Sequence, residues 1–214
     1  MPGLIGLFGG TFDPIHLGHL QSVSLLDKVL GFNRVYWVLS ARPPHKESIN
    51  VSIEHRYAML QLVLQNHSNF VADDTEIARA DKSYTYTTVE SFRERYPEKS
   101  LCLIIGGDSL HNLHTWYRYE DLLEQVNLIV MQRPGYTMQL PSFLHKRQVQ
   151  SRNQFNADKV GQLLLFRNSD FDVSSTKIRN ILAEKKSSKS DQILIKNFLP
   201  QSVTNYIEQH KLYK

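Results

Sequence analysis

Residues 4–19 read LIGLFGGTFDPIHLGH, a run that predicts a buried strand, a tight turn and the start of a helix. The apolar residues before Gly9 and Gly10 are typical of a buried strand, and the two glycines indicate that it ends in a turn. Beyond residue 19, apolar side chains recur at helical spacing until a glycine stands where a C-cap is expected. His16 and His19 therefore lie where a helix opens directly after a strand.

This position in the chain favours an anion. The N-terminus of a helix presents free backbone N–H groups and the positive end of the helix dipole, and nearby glycines let a phosphate approach the backbone closely. His16 and His19 are three residues apart, so both imidazoles can point the same way and donate hydrogen bonds to phosphate oxygens. The alternatives are a surface turn with incidental histidines, or a zinc site. A zinc site would need a third and a fourth ligand, but none stands at usable spacing and Cys102 is the only cysteine of the sequence.

The length and composition predict one ordinary globular domain. The chain has 214 residues, of which 41% are hydrophobic, enough to bury a full core within a single domain spanning residues 1–214. The single cysteine excludes an internal disulfide framework, and no apolar run reaches the ~20 residues that span a bilayer. We therefore expect a cytoplasmic protein without a membrane partner. The net charge of +4 is dispersed and no nucleic-acid-binding motif is present, so we expect no nucleic-acid partner.

Strand-like and helix-like segments alternate about five times before residue 136. Besides the first strand and helix, the strand candidates are residues 34–40, 70–72, 101–105, 127–132 and 161–166, and the helix candidates are residues 53–65, 89–96, 116–126 and a segment after Pro200. Residues 137–157 are polar and aperiodic, and we expect a surface excursion there. The alternation predicts an α/β fold, a Rossmann-like doubly wound parallel sheet with a small C-terminal helical part.

Two polar residues follow predicted strands, where open α/β sheets bind their ligands. Lys46, in a loop with two prolines after the second strand, is a candidate phosphate contact. Asp108 follows the glycines that end the apolar run 101–105. Its carboxylate can accept hydrogen bonds from ribose hydroxyls, or it can cap the next helix.

Two further polar clusters have structural interpretations. Asp73, Asp74 and Glu76 could suggest a metal site, but a solvated strand edge is the preferred interpretation. The hydroxyl-rich residues 83–88 could bind the carboxylate of a small ligand. From the residue types alone, we expect them to cap the helix that follows.

Residues 172–179 read DVSSTKIR and predict a second anion site. Ser174 or Ser175 is a suitable N-cap, and Lys177 and Arg179 add positive charge to the helix N-terminus. An α/β fold can bring this N-terminus and that of the first helix to the same edge of the sheet. The chain has no Walker A sequence, no G-x-G-x-x-G fingerprint and no nucleophile elbow. Direct phosphoryl or nucleotidyl transfer, which needs mainly positioning and charge neutralisation, is the chemistry that fits.

Both motifs resemble the signatures of the H-x-G-H nucleotidyltransferase superfamily. Residues 9–19 are similar to its first signature, and residues 174–179 to its second, S-S-T-x-I-R. Other segments look like those of the bacterial nicotinate-nucleotide adenylyltransferases, namely residues 42–46, 106–108, 115–116, 133–136 and 199–213. By this resemblance, which covers most of the chain, the protein is identified as a member of that family.

The resemblance implies transfer of the adenylyl group of ATP to nicotinate mononucleotide, giving nicotinate adenine dinucleotide and pyrophosphate in NAD synthesis. It implies catalytic roles for His16, His19, Lys46 and Arg179. It places ATP against Gly9, Gly10, Thr11, Phe12, His16, His19, Gly106, Asp108, Arg133, Ser175, Thr176 and Arg179. It places nicotinate mononucleotide against Thr11, Lys46, Tyr84, Thr85 and Trp116. Mg²⁺ is expected to arrive with ATP without a protein metal site, and a homodimer is a possible assembly.

One position departs from the family pattern, and some rival functions share part of it. Members commonly carry an acidic residue where this chain has Thr87, which puts details of the nicotinate loop in doubt.

A related adenylyltransferase acting on phosphopantetheine or nicotinamide mononucleotide would share the first signature. A nucleotide-binding regulator without chemistry would lack His16, His19 or the serine-rich box. An RNA-binding protein would show a steep fall in RNA affinity with salt.

Overall fold

The computed structural model describes residues 3–43, 49, 51–79, 81–132, 139–167, 173–184 and 188–214. The predictions for Lys46 and Arg133 therefore lie outside the described residues. Seven strands in the described part form one sheet: β1 Leu4–Gly10, β2 Arg34–Leu39, β3 Phe70–Asp73, β4 Ser100–Gly106, β5 Asn127–Gln132, β6 Gln148–Val149 and β7 Leu163–Arg167.

The order of the strands creates the place where a ligand is expected. Every pairing is parallel, in the order β3-β2-β1-β4-β5-β7-β6. The chain runs outward from β1 through β2 to β3, then returns to β4 on the other side of β1. The loops after β1 and β4 thus leave the sheet in opposite directions, and such a switch point opens a crevice at the carboxyl ends of the strands. This confirms the predicted doubly wound α/β fold.

Helices cover both faces of the sheet. The α-helices of the described part are α1 Leu17–Leu30, α2 Ile53–Leu64, α3 Thr75–Ala78, α4 Thr85–Arg95, α5 Gly107–His111, α6 Tyr119–Leu123, α7 Ser175–Ala183, α8 Lys189–Phe198 and α9 Gln201–Gln209. Alternate residues of β1 supply opposite cores, with Phe8 packing on the side of α1, α2 and α7–α9, and Leu7 on the side of α4–α6. Burial on both faces explains the nearly unbroken apolar runs of the central strands.

Helix α1 begins and ends as the sequence predicts. His16 is its N-cap, and Gly31 is its C-cap with φ 71°, a left-handed conformation that glycine adopts without a steric penalty. α9 follows Pro200 as expected, with Val203 and Ile207 buried. α8 was not predicted. Its start is marked by a capping box between Ser188 and Asp191.

The helix predicted over residues 116–126 is interrupted. A short 3-10 helix, Leu113–Thr115, lies just before the predicted range, and within that range only Tyr119–Leu123, which is α6, is helical. Between them Arg118 has φ 53°, a left-handed backbone conformation that no helix continues through. Its guanidinium lies over the Tyr86 ring, 4.1 Å from the centroid, and donates to Asp121 at 2.6 Å. These side-chain contacts stabilise the bend of the chain at Arg118. The spacing of apolar residues gives no indication of such contacts.

The predicted surface excursion over residues 137–157 is only partly correct. Its described part contains 3-10 helices at Ser142–Arg147 and Arg152–Gln154, and the edge strand β6 between them. Leu144 and Phe155 are buried in the two cores. A strand of two residues has no recognisable period, so the sequence does not reveal it. None of the helices in the described ranges has the length and apolar character needed to cross a bilayer.

Candidate active site

A cavity of about 920 Å³ opens at the switch point between β1 and β4. Predicted site residues in its wall are Gly9, Gly10, Thr11, Tyr84, Thr85, Gly106, Asp108 and Trp116. The structure places the other described candidates outside that wall, namely Phe12, His16, His19, Ser175, Thr176 and Arg179. A Cβ added to Gly9 or Gly106 would meet no atom within 4 Å, so both backbones face open space. A ligand can therefore approach the main chain at both strand ends.

The two histidines cap α1 reciprocally. The backbone N–H of His16 donates to Nδ1 of His19, and the backbone N–H of His19 donates to Nδ1 of His16, each at 3.3 Å. Their rings stack with centroids 3.6 Å apart. An imidazole nitrogen that accepts a hydrogen bond carries no proton, so each neutral ring must carry its proton on Nε2. The cap therefore turns both side chains into Nε2–H donors of fixed orientation.

The glycine inside H-x-G-H is required by close packing between the two motifs. A Cβ on Gly18 would lie 2.5 Å from Cγ1 of Val173 and 3.0 Å from Nδ1 of His16. Val173 directly precedes Ser174, the N-cap of α7, whose side chain accepts from the backbone N–H of Lys177. Only a residue without a side chain lets α1 and the start of α7 approach this closely.

Hydrogen bonds join the second motif to the loop of the first. The Ser175 hydroxyl donates to the Pro14 carbonyl at 3.0 Å, and Nη1 of Arg179 donates to the Asp13 carbonyl at 2.7 Å. Nη2 of Arg179 also reaches the Thr176 hydroxyl at 3.2 Å. The N-termini of α1 and α7 thus meet at one edge of the sheet, although their residues are more than 150 positions apart.

Asp13 and Tyr213 extend this junction, and sequence reasoning missed both. The Asp13 side chain is buried, and its Oδ1 accepts from the Tyr213 hydroxyl at 2.7 Å. Oδ2 lies 3.9 Å from Nη1 of Arg179. Burial and the neighbouring carboxylate raise the pKa of the Tyr213 hydroxyl above its ordinary value, which keeps it protonated and donating. Residue 213 lies 200 positions from its partner, and no local signal links the two.

Arg56 is a second residue that the sequence did not reveal. It lies on the buried face of α2, is 1% exposed, and donates to the carbonyls of Thr11 and Ser40 at 2.9 Å each. Longer bonds of 3.3 Å reach the carbonyls of Ala41 and Val51. Burial lowers the pKa of its guanidinium, and no carboxylate in the described ranges lies within 4.0 Å of it. Arg56 thus fixes the loops that leave β1 and β2.

Aromatic and hydroxyl side chains form the far end of the cavity. Tyr84, Thr85 and Trp116 line it, and Tyr84 is the N-cap of α4. Among the described residues, no side chain makes a capping hydrogen bond at this helix N-terminus, so the predicted capping role of residues 83–88 is wrong. The Ser83 hydroxyl instead accepts from the backbone N–H of Arg42, and the Thr88 hydroxyl donates to Glu76 at 2.7 Å. The start of α4 is therefore open to an anion from the cavity.

The acidic cluster is not the solvated strand edge that we expected. Asp73 and Glu76 are 5% and 7% exposed, whereas Asp74 is exposed. Asp73 accepts from Arg95 at 3.0 Å, which compensates its burial. Glu76 lines the cavity, and among the described residues its Oε2 has no hydrogen-bond partner. No group of three or more metal-ligating side chains is assembled in the described ranges.

Asp108 lies at the carboxyl end of β4. Gly106 is the N-cap of α5, so the alternative of an aspartate cap is not observed. Asp108 occupies the first turn of α5, is exposed, and lines the cavity. Its carboxylate can therefore accept hydrogen bonds from a ligand at the switch point.

Comparisons with known proteins agree with these motifs. A cytidylyltransferase-like family model matches residues 7–181. A nicotinate-nucleotide adenylyltransferase of Salmonella typhimurium is 36% identical over 220 residues, covering 100% of both chains. A probable nicotinate-nucleotide adenylyltransferase of Idiomarina loihiensis is 35% identical over 212 residues, covering 97% of this chain and 98% of that protein.

The fold has solved counterparts. The structure of Plasmodium falciparum nicotinic acid mononucleotide adenylyltransferase complexed with NaAD superimposes with a TM-score of 0.77 at 20% identity. The match covers 99% of this chain and 97% of that one, and it supports the fold alone. With full-length relatives above 30% identity, the chain belongs to the nicotinate-nucleotide adenylyltransferase family of cytidylyltransferase-like proteins.

Proposed function

We propose that the protein transfers the adenylyl group of ATP to nicotinate mononucleotide, which gives nicotinate adenine dinucleotide and pyrophosphate. The observation that carries this proposal is the hydrogen-bonded junction of the two motifs beside the cavity, where Arg179 and Ser175 bind the loop preceding His16. The choice of acceptor follows the name of the full-length relatives. In NAD synthesis this step joins the two nucleotides.

The reaction is an in-line displacement at phosphorus. A phosphate oxygen of nicotinate mononucleotide forms a bond to the α-phosphorus of ATP, and the bond from that phosphorus to the pyrophosphate oxygen breaks. No covalent enzyme intermediate is needed, so positioning and charge stabilisation supply the catalysis. The Nε2–H groups of His16 and His19 donate to the triphosphate, where negative charge develops.

The remaining contacts to ATP come from both motifs and the end of β4. Ser175, Thr176 and Arg179 bind the triphosphate from the side opposite the histidines, and Lys46 and Arg133 add positive charge. The backbones of residues 9–12 follow the nucleotide; Phe12 contributes only its main chain because its side chain is buried. Asp108 binds the ribose and Gly106 leaves room for the adenosine. Mg²⁺ enters as the MgATP substrate and is held by phosphate oxygens.

The far end of the cavity binds the acceptor. Trp116 stacks on the pyridine ring. Tyr84, Thr85 and the neighbouring backbone N–H groups bind the nicotinate carboxylate. The absence of a side-chain cap on α4 supports this assignment, because an uncapped helix N-terminus favours an anion.

Release of pyrophosphate tests the proposal directly. The protein, ATP and Mg²⁺ are mixed with nicotinate mononucleotide, nicotinamide mononucleotide or phosphopantetheine in parallel. Fast release with the first acceptor alone is the expected result. Release with another acceptor would keep the fold and the transfer chemistry but change the substrate. ATP binding without release for any acceptor would refute the proposal and favour a nucleotide-binding regulator. A cytoplasmic location, a single domain and a homodimer stay predictions.

A further inference from the structure

The Asp13 carboxylate lies between a tyrosine and an arginine, and in the described part of the chain its hydrogen bond comes from the tyrosine. Its Oδ1 accepts from the Tyr213 hydroxyl at 2.7 Å. Its Oδ2 is 3.9 Å from Nη1 of Arg179, too far for a hydrogen bond. Arg179 donates to the Asp13 backbone carbonyl at 2.7 Å instead, and to the Thr176 hydroxyl. The guanidinium thus forms only a long ion pair with the buried carboxylate, without a hydrogen bond to it.

The backbone conformation around Tyr213 places its hydroxyl beside Asp13. Lys211 and Tyr213 have φ values of 54° and 62°, left-handed conformations that residues other than glycine rarely adopt. The backbone N–H of Leu212 donates to the Ile207 carbonyl at 3.0 Å, and Leu212 and Tyr213 pack against the core on the side of α1. Strained turns of this kind persist only where the surrounding contacts specify them.

Loss of the Tyr213 hydroxyl would leave the Asp13 carboxylate without its hydrogen-bond donor. A buried carboxylate oxygen without a donor is unfavourable, and the carboxylate would seek the nearest mobile cation. Arg56 also lies near, but four backbone carbonyls already hold its guanidinium. The Arg179 side chain is 33% exposed and makes two hydrogen bonds, so it is held less firmly than Arg56. The long Arg179–Asp13 ion pair would therefore shorten to a hydrogen-bonded one and withdraw the guanidinium from the triphosphate.

We propose that Tyr213 is a positioning residue: by satisfying Asp13, it keeps the Arg179–Asp13 ion pair long and so leaves the guanidinium available to the triphosphate of ATP. This inference rests on the proposed function, because it uses the role of Arg179 in ATP binding. It predicts that Tyr213 acts on affinity for ATP through Asp13, and that its effect disappears when the charge of Asp13 is removed.

The test compares two tyrosine-to-phenylalanine changes in the same part of the chain. Tyr213→Phe removes the hydroxyl bound to Asp13, and Tyr206→Phe removes one bound to Nδ1 of His55 at 2.9 Å, outside the motif junction. We expect Tyr213→Phe to raise the KM and Kd for ATP about 10- to 100-fold, the range for a lost hydrogen bond to a charged group. Tyr206→Phe should stay within about twofold of the parent protein, since it removes no contact to Asp13. Tyr213→Phe should also lower the melting temperature more than Tyr206→Phe, because only Tyr213→Phe leaves a buried carboxylate oxygen without its donor.

The double variant Asp13→Asn with Tyr213→Phe separates positioning from general damage. Asparagine carries no charge to attract Arg179, so adding Tyr213→Phe to Asp13→Asn should change the ATP affinity little. If the double variant binds ATP at least tenfold more weakly than Asp13→Asn alone, the proposed action through Asp13 is refuted. Normal ATP affinity in Tyr213→Phe would overturn the inference while leaving the proposed function intact. If the parent protein releases no pyrophosphate, the proposed function fails, and ATP binding by calorimetry still decides the role of Tyr213.

Discussion

Replacing Arg56 with methionine should destabilise the protein by about 3 to 5 kcal/mol, because four backbone carbonyls lose their charged hydrogen-bond donor. Four carbonyls lose their donor, and at about 1 to 3 kcal/mol for each unsatisfied group the upper bound is about 4 to 12 kcal/mol. Two effects reduce this sum. The guanidinium no longer needs to be desolvated, a cost reflected in its lowered pKa, and some carbonyls regain water. The expected loss is a large part of a typical stability of about 5 to 15 kcal/mol.

Urea unfolding at pH 7, followed by circular dichroism, measures this loss. Arg93→Met is the matched control, because Arg93 also donates to carbonyls, those of Lys99 at 2.8 Å and Gln125 at 2.6 Å, but lies outside the cavity wall. It should cost less stability, since it is partly exposed, and should leave the kinetic constants unchanged. Arg56→Met should also lower turnover of the folded fraction, since Thr11 and Ser40 line the cavity. A loss below about 1 kcal/mol, or kinetics equal to those of Arg93→Met, would refute the reasoning.

Other substitutions test separate parts of the site. His19→Ala should cost about 1 kcal/mol of stability, because it removes half of the α1 cap, yet it should lower turnover by about a hundredfold or more, the effect of removing one preorganised donor; near-normal turnover would exclude His19 from the mechanism. Gly18→Ala would place a Cβ 2.5 Å from the Val173 side chain, and we expect a loss of about 1 to 3 kcal/mol in urea unfolding. Thr85→Ala should reduce the ratio of kcat/KM for nicotinate over nicotinamide mononucleotide, and an unchanged ratio would contradict its role. Burial raises the pKa of Tyr36 from 10.0 to about 12, so the unfolded chain loses this proton first. The free energy of unfolding should therefore fall between pH 10 and about 12, and Tyr36→Phe should reduce that slope.

The features that the sequence revealed are those encoded over short distances. Gly31 and Ser174 were identifiable as caps because caps depend on neighbouring residues, whereas His16 was predicted at the start of α1 but not as its cap. The positions of β1 and β4 followed from apolar runs bounded by glycines. The second motif could be expected beside the first because parallel strands place their carboxyl ends at one edge.

What the sequence concealed depends on distant partners. An arginine within a helical pattern, such as Arg56, is ordinarily a surface residue, and only the four carbonyls around it explain its burial. Asp73 and Glu76 were predicted to be solvated for the same reason, although Asp73 pairs with Arg95 and Oε1 of Glu76 accepts from Thr88. Such contacts form between segments that the fold, and not the local pattern, brings together.

The span between Asp13 and Tyr213 also bears on how the protein is made. A ribosome adds about 5 to 20 residues each second, so residue 213 is synthesised roughly 10 to 40 seconds after its partner. During that interval β1 to β7 and both motif helices can already form on the nascent chain. Until residue 213 is synthesised, the Asp13 carboxylate lacks its tyrosine donor, while Arg179 is already within ion-pair distance. We therefore expect the junction between the two motifs to reach its final hydrogen-bonded form only after that residue has been added.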